Sequence, residues 1–282
     1  MNVQTENIIG KEFNCLDRGF VRLIDVMGDD SSIVQAARVS YGKGTKSVSE
    51  DRGLIRYLMR NRHTSPFEMV EFKFHVKLPI FVARQWIRHR TANVNEYSGR
   101  YSEMKDEFYL PEPEFVRTQS AVNKQGRSDE TLSSDSANKI IEVLSDSQRK
   151  LFSEYQDMLA EGLAREVARI NLPLATYTEW YWKIDLHNLF NFLRLRLDAH
   201  AQYEIRVYAQ IISDLVKLSV PLAYEAFEDY TLEAISFSKK EIAALRFLIN
   251  NGQITDENLS GIGIKGREAS DFRDKLNAVL VQ

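Results

Sequence analysis

The sequence lacks several features that would assign it to a common class at once. Its single cysteine, Cys15, excludes an intramolecular disulfide and a metal site built from several cysteines. The net charge of -3 lacks the excess of Lys and Arg that general nucleic-acid binding requires. No stretch approaches the roughly 18 apolar residues of a membrane span, and residues 1–14 contain no apolar signal segment. We therefore expect a cytoplasmic protein with no metal, nucleic-acid or membrane partner.

What the chain does contain is enough apolar material for a large core, since 44% of its 282 residues are hydrophobic and 11% are aromatic. Residues 70–78 and 176–184 alternate strictly between apolar and polar side chains, and residues 20–26 form a third strand candidate. Helical spacing of apolar residues dominates elsewhere, including residues 79–90 and 135–162. The pattern predicts an α+β chain whose strands pack one face on helices.

Three segments differ in character from the body of the chain. Residues 1–16 have no periodic pattern and are predicted to form an N-terminal extension. Residues 117–137 are rich in Ser, Asn, Gln and Asp, which is typical of a mobile surface insertion. Residues 232–282 read as a helical C-terminal extension, which leaves residues 17–231 as a single main domain.

The most unusual stretch is residues 84–101. It gathers four arginines, a histidine and a glutamate around a Ser-Gly-Arg turn. Such a density of donors is costly to bury unless anionic, planar partners satisfy it, so a phosphorylated aromatic ligand would fit. Backbone N–H groups of the turn can also approach a phosphate. A solvated basic surface is the alternative interpretation.

Three other motifs have an ordinary explanation. The G-x-G-x-x-G pattern at residues 261–266 has no preceding strand and too little chain after it for a dinucleotide fold, so a loop between helices is the better interpretation. Trp180 and Trp182 alternate with polar residues, which favours the core over stacking on a ligand. Cys15 has no base near it in sequence, and an inert thiol is favoured over a nucleophile.

Residues 84–101 also carry a family resemblance. Arg88-His89-Arg90, seven further residues and then Ser98 resemble the R-H-R-x7-S signature of the flavin-dependent thymidylate synthases. The likeness extends over residues 79–86, 165–169 and 191–200, and covers about 17–231. The resemblance implies an enzyme that makes thymidylate (dTMP) from deoxyuridylate (dUMP). It also implies 5,10-methylenetetrahydrofolate as carbon donor, FAD reduced by NADPH, and a homotetramer with shared active sites and helices around a central antiparallel sheet.

The resemblance carries site residues over by position. Arg196 corresponds to the catalytic residue at the uracil ring. The residues implied for dUMP are Gln85, Trp86, Ile87, Arg88, Glu96, Tyr97, Ser98, Gly99, Arg100 and Arg169. Those implied for FAD are Ser65, Arg88, His89, Arg90, Glu96, Asp185, His187 and Asn191. Two further residues, His63 and His200, correspond to positions near flavin and folate.

Two positions depart from part of the family. Asp185 and His187 stand where some members have Asn and Arg. An Asp caps a helix as an Asn does, but a His replaces a fixed charge with one that titrates near neutrality.

The implied mechanism needs no protein nucleophile, because reduced flavin carries both the methylene and the hydride while the protein orients and polarises. Two other functions stay open. A degenerate family member would bind nucleotide without turnover, and an RNA-binding protein would use the basic stretch with a steep salt dependence.

Overall fold

The computed structural model describes residues 3–39, 48–121, 124 and 126–280. The chain divides into two compact units, Met1–Tyr230 and Thr231–Gln282. The helices of the first unit are α1 (Val3–Ile8), α2 (Asp30–Arg38), α3 (Val48–Arg60), α4 (Ile80–Trp86), α5 (Ser134–Ala160), α6 (Arg165–Ala168), α7 (Leu186–Arg196), α8 (Tyr203–Ser219) and α9 (Pro221–Phe227). Its strands are β1 (Glu12–Cys15), β2 (Gly19–Met27), β3 (Glu71–Pro79), β4 (Asn93–Glu96), β5 (Arg117–Gln119), β6 (Arg127–Thr131) and β7 (Tyr177–Asp185).

A five-stranded sheet forms the centre of the first unit. Its order is β1-β2-β3-β7-β4, and every neighbouring pair is antiparallel. Phe74 of β3 lies opposite Trp182 of β7, and His75 lies opposite Tyr181. The prediction of an α+β chain with a central antiparallel sheet is confirmed.

The two faces of the sheet differ as the alternation predicts. The inward residues are fully or almost fully buried: Val21, Leu23, Phe72, Phe74, Val76, Trp180, Trp182 and Ile184. Helices α4, α7 and α8 pack on the sheet, and α8 donates a hydrogen bond of 2.8 Å from the Tyr208 hydroxyl to the carbonyl of Lys77. The other face carries the polar residues, including Tyr181, which is exposed. In the described part of this chain, α4, α7 and α8 thus contact strands of the sheet whose apolar residues are buried.

The indole of Trp86, the last residue of α4, lies at the centre of this core. It is 0% exposed, and its ring contacts those of Trp180, Trp182 and Phe192 at centroid distances of 5.7, 5.1 and 4.8 Å. This cluster joins α4, β7 and α7. The prediction that the strand tryptophans are core residues is therefore confirmed.

Helix α4 is shorter than the helix predicted over residues 79–90. It begins after Pro79 and ends at Trp86, so Arg88, His89 and Arg90 follow the helix and do not continue it. The reason is that the chain turns back along the sheet, where β4 pairs with β7 from Asn93 onward. Arg88 therefore does not share a helical face with Gln85.

The segments predicted as an extension and an insertion both contain regular structure. Residues 3–16 form α1 and β1, and β1 is an edge strand of the sheet. Cys15, at the end of β1, is buried, and burial raises the pKa of its thiol to about 12, which supports the interpretation of an inert thiol. Residues 117–131 contain the two-stranded pair β5-β6, and α5 starts at Ser134.

The second unit consists of α10 (Lys239–Asn251), α11 (Asp256–Ile262) and α12 (Arg267–Leu280). Ser238 and Glu241 form a capping box at the start of α10, and Gly252 ends that helix at φ +75°, a conformation that glycine adopts without strain. Leu259, Ile264 and Phe272 form the centre of its own small core. The glycine-rich segment 261–266 ends α11 and leads into α12, as a loop between helices would.

Strand β7 offers a direct test of the alternation. Replacing the buried Trp182 with Ala should cost about 3–5 kcal/mol of unfolding free energy, because it leaves a cavity between α4 and α7. Its neighbour Tyr181 stacks on His75 at the exposed face, so Tyr181→Ala should cost only about 1 kcal/mol. Urea unfolding followed by circular dichroism measures both. Equal losses in the two variants would contradict the assignment of the faces.

Candidate active site

The end of α4 and the end of α7 meet through a contact between His89 and Arg196. The Nε of Arg196 donates to Nε2 of His89 at 3.0 Å, and the imidazole packs edge-on against Phe192. Burial, and next the charge of Arg196, lower the pKa of His89 from 6.5 to about 4. Burial also lowers the pKa of Arg196. His89 is therefore neutral at physiological pH and serves as an acceptor for the guanidinium.

Gln85 lies in the last turn of α4, and its side chain is held by a chain of hydrogen bonds. Its side-chain amide donates to the side-chain Oε1 of Gln202 in a short hydrogen bond, and the side-chain amide of Gln202 donates to Glu204 at 2.8 Å. Glu204 is 1% exposed and also accepts from the Tyr109 hydroxyl at 3.0 Å and from Arg127. A buried carboxylate thus fixes Gln202, which fixes Gln85.

The Ser-Gly-Arg turn lies against the segment that begins with α6. Arg100 pairs with Glu166 at 3.1 Å. A Cβ at Gly99 would come within 2.7 Å of the Met104 sulfur and 3.2 Å of Arg169 Cδ, so a larger residue here would displace these two side chains from the turn. The structure therefore brings Ser98, Gly99, Arg100 and Arg169 together, as expected of residues that share one ligand.

Strand β4 connects these two groups along the edge of the sheet. All four of its residues are exposed, although Glu96 accepts a hydrogen bond of 2.8 Å from Thr178. The next residue, Tyr97, donates its amide to the carbonyl of Glu179 and its hydroxyl to the carbonyl of Glu103. Its ring is thereby fixed beside the turn.

Three of the predicted flavin residues, Ser65, Asp185 and Asn191, lie on α7 or on segments next to it. Asp185 caps the helix by accepting from the Asn188 amide at 2.9 Å and from its side chain at 2.7 Å. The turn that contains Ser65 packs on α7 through Phe67, whose ring lies 6.5 Å from that of Phe190. Asn191, the residue after Phe190, is exposed.

Three predicted histidines lie outside the core. His187, in the first turn of α7, is half-buried. His63 follows α3, with its ring 5.8 Å from that of Tyr57. His200 is exposed and pairs with Asp198 at 2.9 Å.

Several guanidiniums of the stretch are unpaired. Within the described ranges, the side chains of Arg84, Arg88 and Arg90 are exposed and have no hydrogen-bond or ion-pair partner. Three unpaired arginines within one short stretch favour an anionic ligand, and guanidinium donors suit phosphates. The same part of the chain contains no cluster of His, Cys, Asp and Glu that would hold a metal ion and no helix long and apolar enough to cross a membrane.

The structure does not join all the predicted residues within one chain. Gln85, His89 and Arg196 form one group, and Ser98, Gly99, Arg100 and Arg169 form another. Among the residues described, no hydrogen bond or ion pair links the two groups. The Trp86 ring is part of the core, so only its backbone is available to a ligand, whereas Ile87 is 41% exposed.

Sequence reasoning missed two residues that hold site side chains in place. Gln202, which holds Gln85, gave no signal, because it precedes α8 by one residue and is distant in sequence. The sequence did contain a signal for Glu166, which pairs with Arg100. Glu166 stands three residues before Arg169 and is therefore placed on the same side of a helical turn.

The contact between His89 and Arg196 predicts a measurable titration. By NMR of ¹⁵N-labelled protein, one histidine should titrate near pH 4, and in Arg196→Gln its pKa should rise toward 6.5 but stay below it, because burial persists. Stability should fall as the pH drops from about 6.5 to 4, since the unfolded chain binds this proton more tightly.

The matched control is Arg194→Gln, two residues earlier, because Arg194 donates to Asn191 and not to His89. This variant should leave the low pKa in place. An unchanged pKa in Arg196→Gln, or an equal rise in both variants, would contradict the assignment.

Comparison with known proteins gives a consistent result. Residues 22–222 match the family model described as thymidylate synthase complementing protein. The chain is 58% identical over 265 residues to a flavin-dependent thymidylate synthase of Ruegeria pomeroyi, covering 93% of this chain and 86% of the relative. It is 55% identical over 268 residues to a flavin-dependent thymidylate synthase of Treponema denticola, covering 95% and 98% of the two chains.

A solved structure supports the same assignment. The UMP/dUMP methylase PolB of Streptomyces cacaoi, bound with 5-Br dUMP, is similar at a TM-score of 0.71 and 33% identity, over 78% of this chain and 99% of that one. The R-H-R-x7-S residues lie within the matched region, and the fold and unpaired guanidiniums agree with it. The chain belongs to the family of flavin-dependent thymidylate synthases.

Proposed function

We propose that this enzyme methylates dUMP to dTMP, with 5,10-methylenetetrahydrofolate as carbon donor and FAD reduced by NADPH as hydride carrier. The observation that carries the proposal is the arrangement of arginines around residues 84–101: Arg196 half-buried beside a neutral His89, and Arg88, Arg90 and Arg169 unpaired within the described residues. The family membership supplies the reaction. Reduced FAD, when bound, provides the hydride that the conversion of a methylene to a methyl group requires.

The phosphate of dUMP is assigned to the Ser-Gly-Arg turn. Arg100 and Arg169 supply charge, the Ser98 hydroxyl and the turn amides supply further donors, and Gly99 permits the close approach. Gln85, Arg88, Glu96 and the backbone around Trp86, Ile87 and Tyr97 complete the proposed dUMP site.

Arg196 is assigned to the pyrimidine ring. Its Nε is occupied by His89, and in the described part of the chain its two terminal nitrogens have no partner. They are free to face a uracil oxygen, where a fixed positive charge stabilises the ionised ring and increases the nucleophilicity of C5. Because His89 is neutral, it orients the guanidinium without competing for the same anion.

The proposed FAD residues fit an anionic, planar group. Arg88 and Arg90 supply unpaired charge, and His89, Asn191 and Ser65 supply polar contacts near α7. The Asp185 carboxylate is engaged in the cap, so we assign it to placing His187 and Asn191 on α7. The remaining proposed contacts are Glu96 and, close to flavin and folate, His63 and His200.

The homotetramer is part of the proposal. Strand β4 is an exposed edge, with Val94 37% exposed and the neighbouring Ile87 41% exposed. The two groups of site residues are not joined within one chain. A neighbouring copy would bring the Ser-Gly-Arg turn of one subunit to the Arg196 of another, in a cytoplasmic enzyme with shared active sites.

The first test is the spectrum and turnover of the purified protein. We expect a yellow protein with flavin absorbance, NADPH oxidation that accelerates when dUMP is added, and dTMP as the product by chromatography. A colourless protein that takes up neither FAD nor dUMP would refute the proposal. Binding of dUMP without dTMP formation would identify a degenerate binding protein, and steep salt-dependent binding of any polynucleotide would indicate an RNA-binding protein instead.

The role of Arg196 is tested separately. Arg196→Ala should retain flavin absorbance but lower the rate of dTMP formation by at least about a hundredfold, since one preorganised charge contributes about 3 kcal/mol or more to such transition states. Arg149→Ala, which removes an exposed arginine of α5, is the control and should behave as wild type. Wild-type turnover in Arg196→Ala would overturn the role.

A further inference from the structure

Glu204, the second residue of α8, is a carboxylate enclosed by three donors. It is 1% exposed. Its Oε1 accepts from the Tyr109 hydroxyl at 3.0 Å and from the guanidinium of Arg127, and its Oε2 accepts from the side-chain amide of Gln202 at 2.8 Å. Burial, and next the charge of Glu204, raise the pKa of the Tyr109 hydroxyl, which therefore stays protonated. A buried carboxylate is costly without a cation beside it, and Arg127 supplies that cation.

The carboxylate sets the direction of the hydrogen bonds that lead to Gln85. A carboxylate only accepts, so the end of the Gln202 side chain that faces Glu204 is its NH2 group. The other end, the carbonyl oxygen, then faces Gln85 and accepts from the NH2 group of that residue. The Gln85 side-chain oxygen is left on the far side of its amide, and among the described residues it accepts no hydrogen bond. Gln85 therefore offers an acceptor to a ligand.

Arg127 prevents the opposite direction. A guanidinium only donates, so the atom of residue 204 that faces it must be an acceptor. If Glu204 were an amide, its oxygen would face Arg127 and its NH2 group would face Gln202. Gln202 would then have to turn over, and Gln85 with it. Arg127 is the first residue of β6, within the segment 117–137 that was predicted as a surface insertion. A residue of that segment thus acts on a side chain of the proposed substrate site.

We propose that Glu204 is a positioning residue, which through Gln202 holds the Gln85 side-chain oxygen toward dUMP, and that Arg127 enforces this orientation. This role rests on the proposed function, because dUMP belongs to that proposal. The oxygen accepts from a donor of the nucleotide, which is the 3′-hydroxyl or the N3–H group of the ring. Tyr109 contacts the same carboxylate but does not set the orientation, because a hydroxyl group can both donate and accept.

The test is Glu204→Gln, which keeps the shape of the side chain but turns an NH2 group toward Gln202. We expect the affinity for dUMP, measured by calorimetry on the purified flavoprotein, to fall about tenfold, because two donors then face each other at Gln85. The flavin absorbance should stay unchanged. The matched control is Tyr109→Phe, which removes another hydrogen bond of the same carboxylate and should keep wild-type affinity. Unchanged affinity in Glu204→Gln, or equal losses in both variants, would overturn the role.

A double variant distinguishes orientation from stability. When Glu204→Gln is combined with Arg127→Met, the new amide can turn its oxygen back to Gln202, while the Tyr109 hydroxyl accepts from its NH2 group. The double variant should therefore recover most of the lost affinity for dUMP, although it lacks the ion pair. Thermal unfolding measures the stability of each variant. A role in stability alone predicts that the double variant binds no better than Glu204→Gln, and this result would contradict the proposal.

A further variant covers the case in which Glu204→Gln does not fold. Gln202→Met interrupts the same chain of hydrogen bonds at a half-buried position, so it should also weaken dUMP binding. Wild-type affinity in Gln202→Met would overturn the role. The nucleotide donor is identified with 2′,3′-dideoxyuridine monophosphate, which lacks the 3′-hydroxyl. The loss in Glu204→Gln disappears with this ligand if the hydroxyl is the donor and persists if the ring N–H is, and either result supports the orientation.

The outcomes separate this role from the proposed function. Normal dTMP formation together with unchanged dUMP affinity in Glu204→Gln would overturn the role and leave the function standing. A wild-type protein that binds dUMP but forms no dTMP would refute the function. Weaker dUMP binding in Glu204→Gln than in Tyr109→Phe, with recovery in the double variant, would then still establish the orientation of Gln85.

Discussion

The position of the Trp86 indole is the constraint on which the site depends. Its ring is enclosed by Trp180 and Trp182 of β7 and by Phe192 of α7. Because a large side chain in a close-packed core has one orientation, the end of α4 cannot rotate. Gln85 and His89, on either side of Trp86 in sequence, are therefore held at fixed positions on the outside of that cluster, and Phe192 also contacts the His89 ring.

Backbone pairing with β7 fixes the position of the second half of residues 84–101. From Asn93 to Glu96 the chain pairs with β7, so that four exposed residues have a fixed register without a core of their own. The Ser-Gly-Arg turn follows this strand, and its Gly99 packs closely against the side chains of Met104 and Arg169. The backbone of the stretch is thus fixed on both sides, and among the described residues Arg84, Arg88 and Arg90 have no partner, which leaves their charge available to a ligand.

The sequence predicted the position of an element well where its hydrophobic period or capping motif was strong. It predicted less where contacts between distant residues determine the structure. Alternation predicted β3 and β7 within one residue at each end, and Asp185 marked the start of α7. Alternation did not predict β4, because the exposed residues of β4 have no hydrophobic period and pair with β7 through the backbone. The hydrogen bond from Gln85 to Gln202 could not be predicted from the sequence either, since it joins residues 117 positions apart.

The electrostatics of the site explain why a neutral histidine stands next to an arginine. Two adjacent cations in a half-buried position would repel each other, and burial penalises the charge of each. The protein resolves this by keeping only the guanidinium charged and using His89 as its acceptor. An anionic ligand at Arg196 would offset part of that penalty and raise the proton affinity of His89. Ligand binding and proton binding at this pair are therefore linked, so that each favours the other.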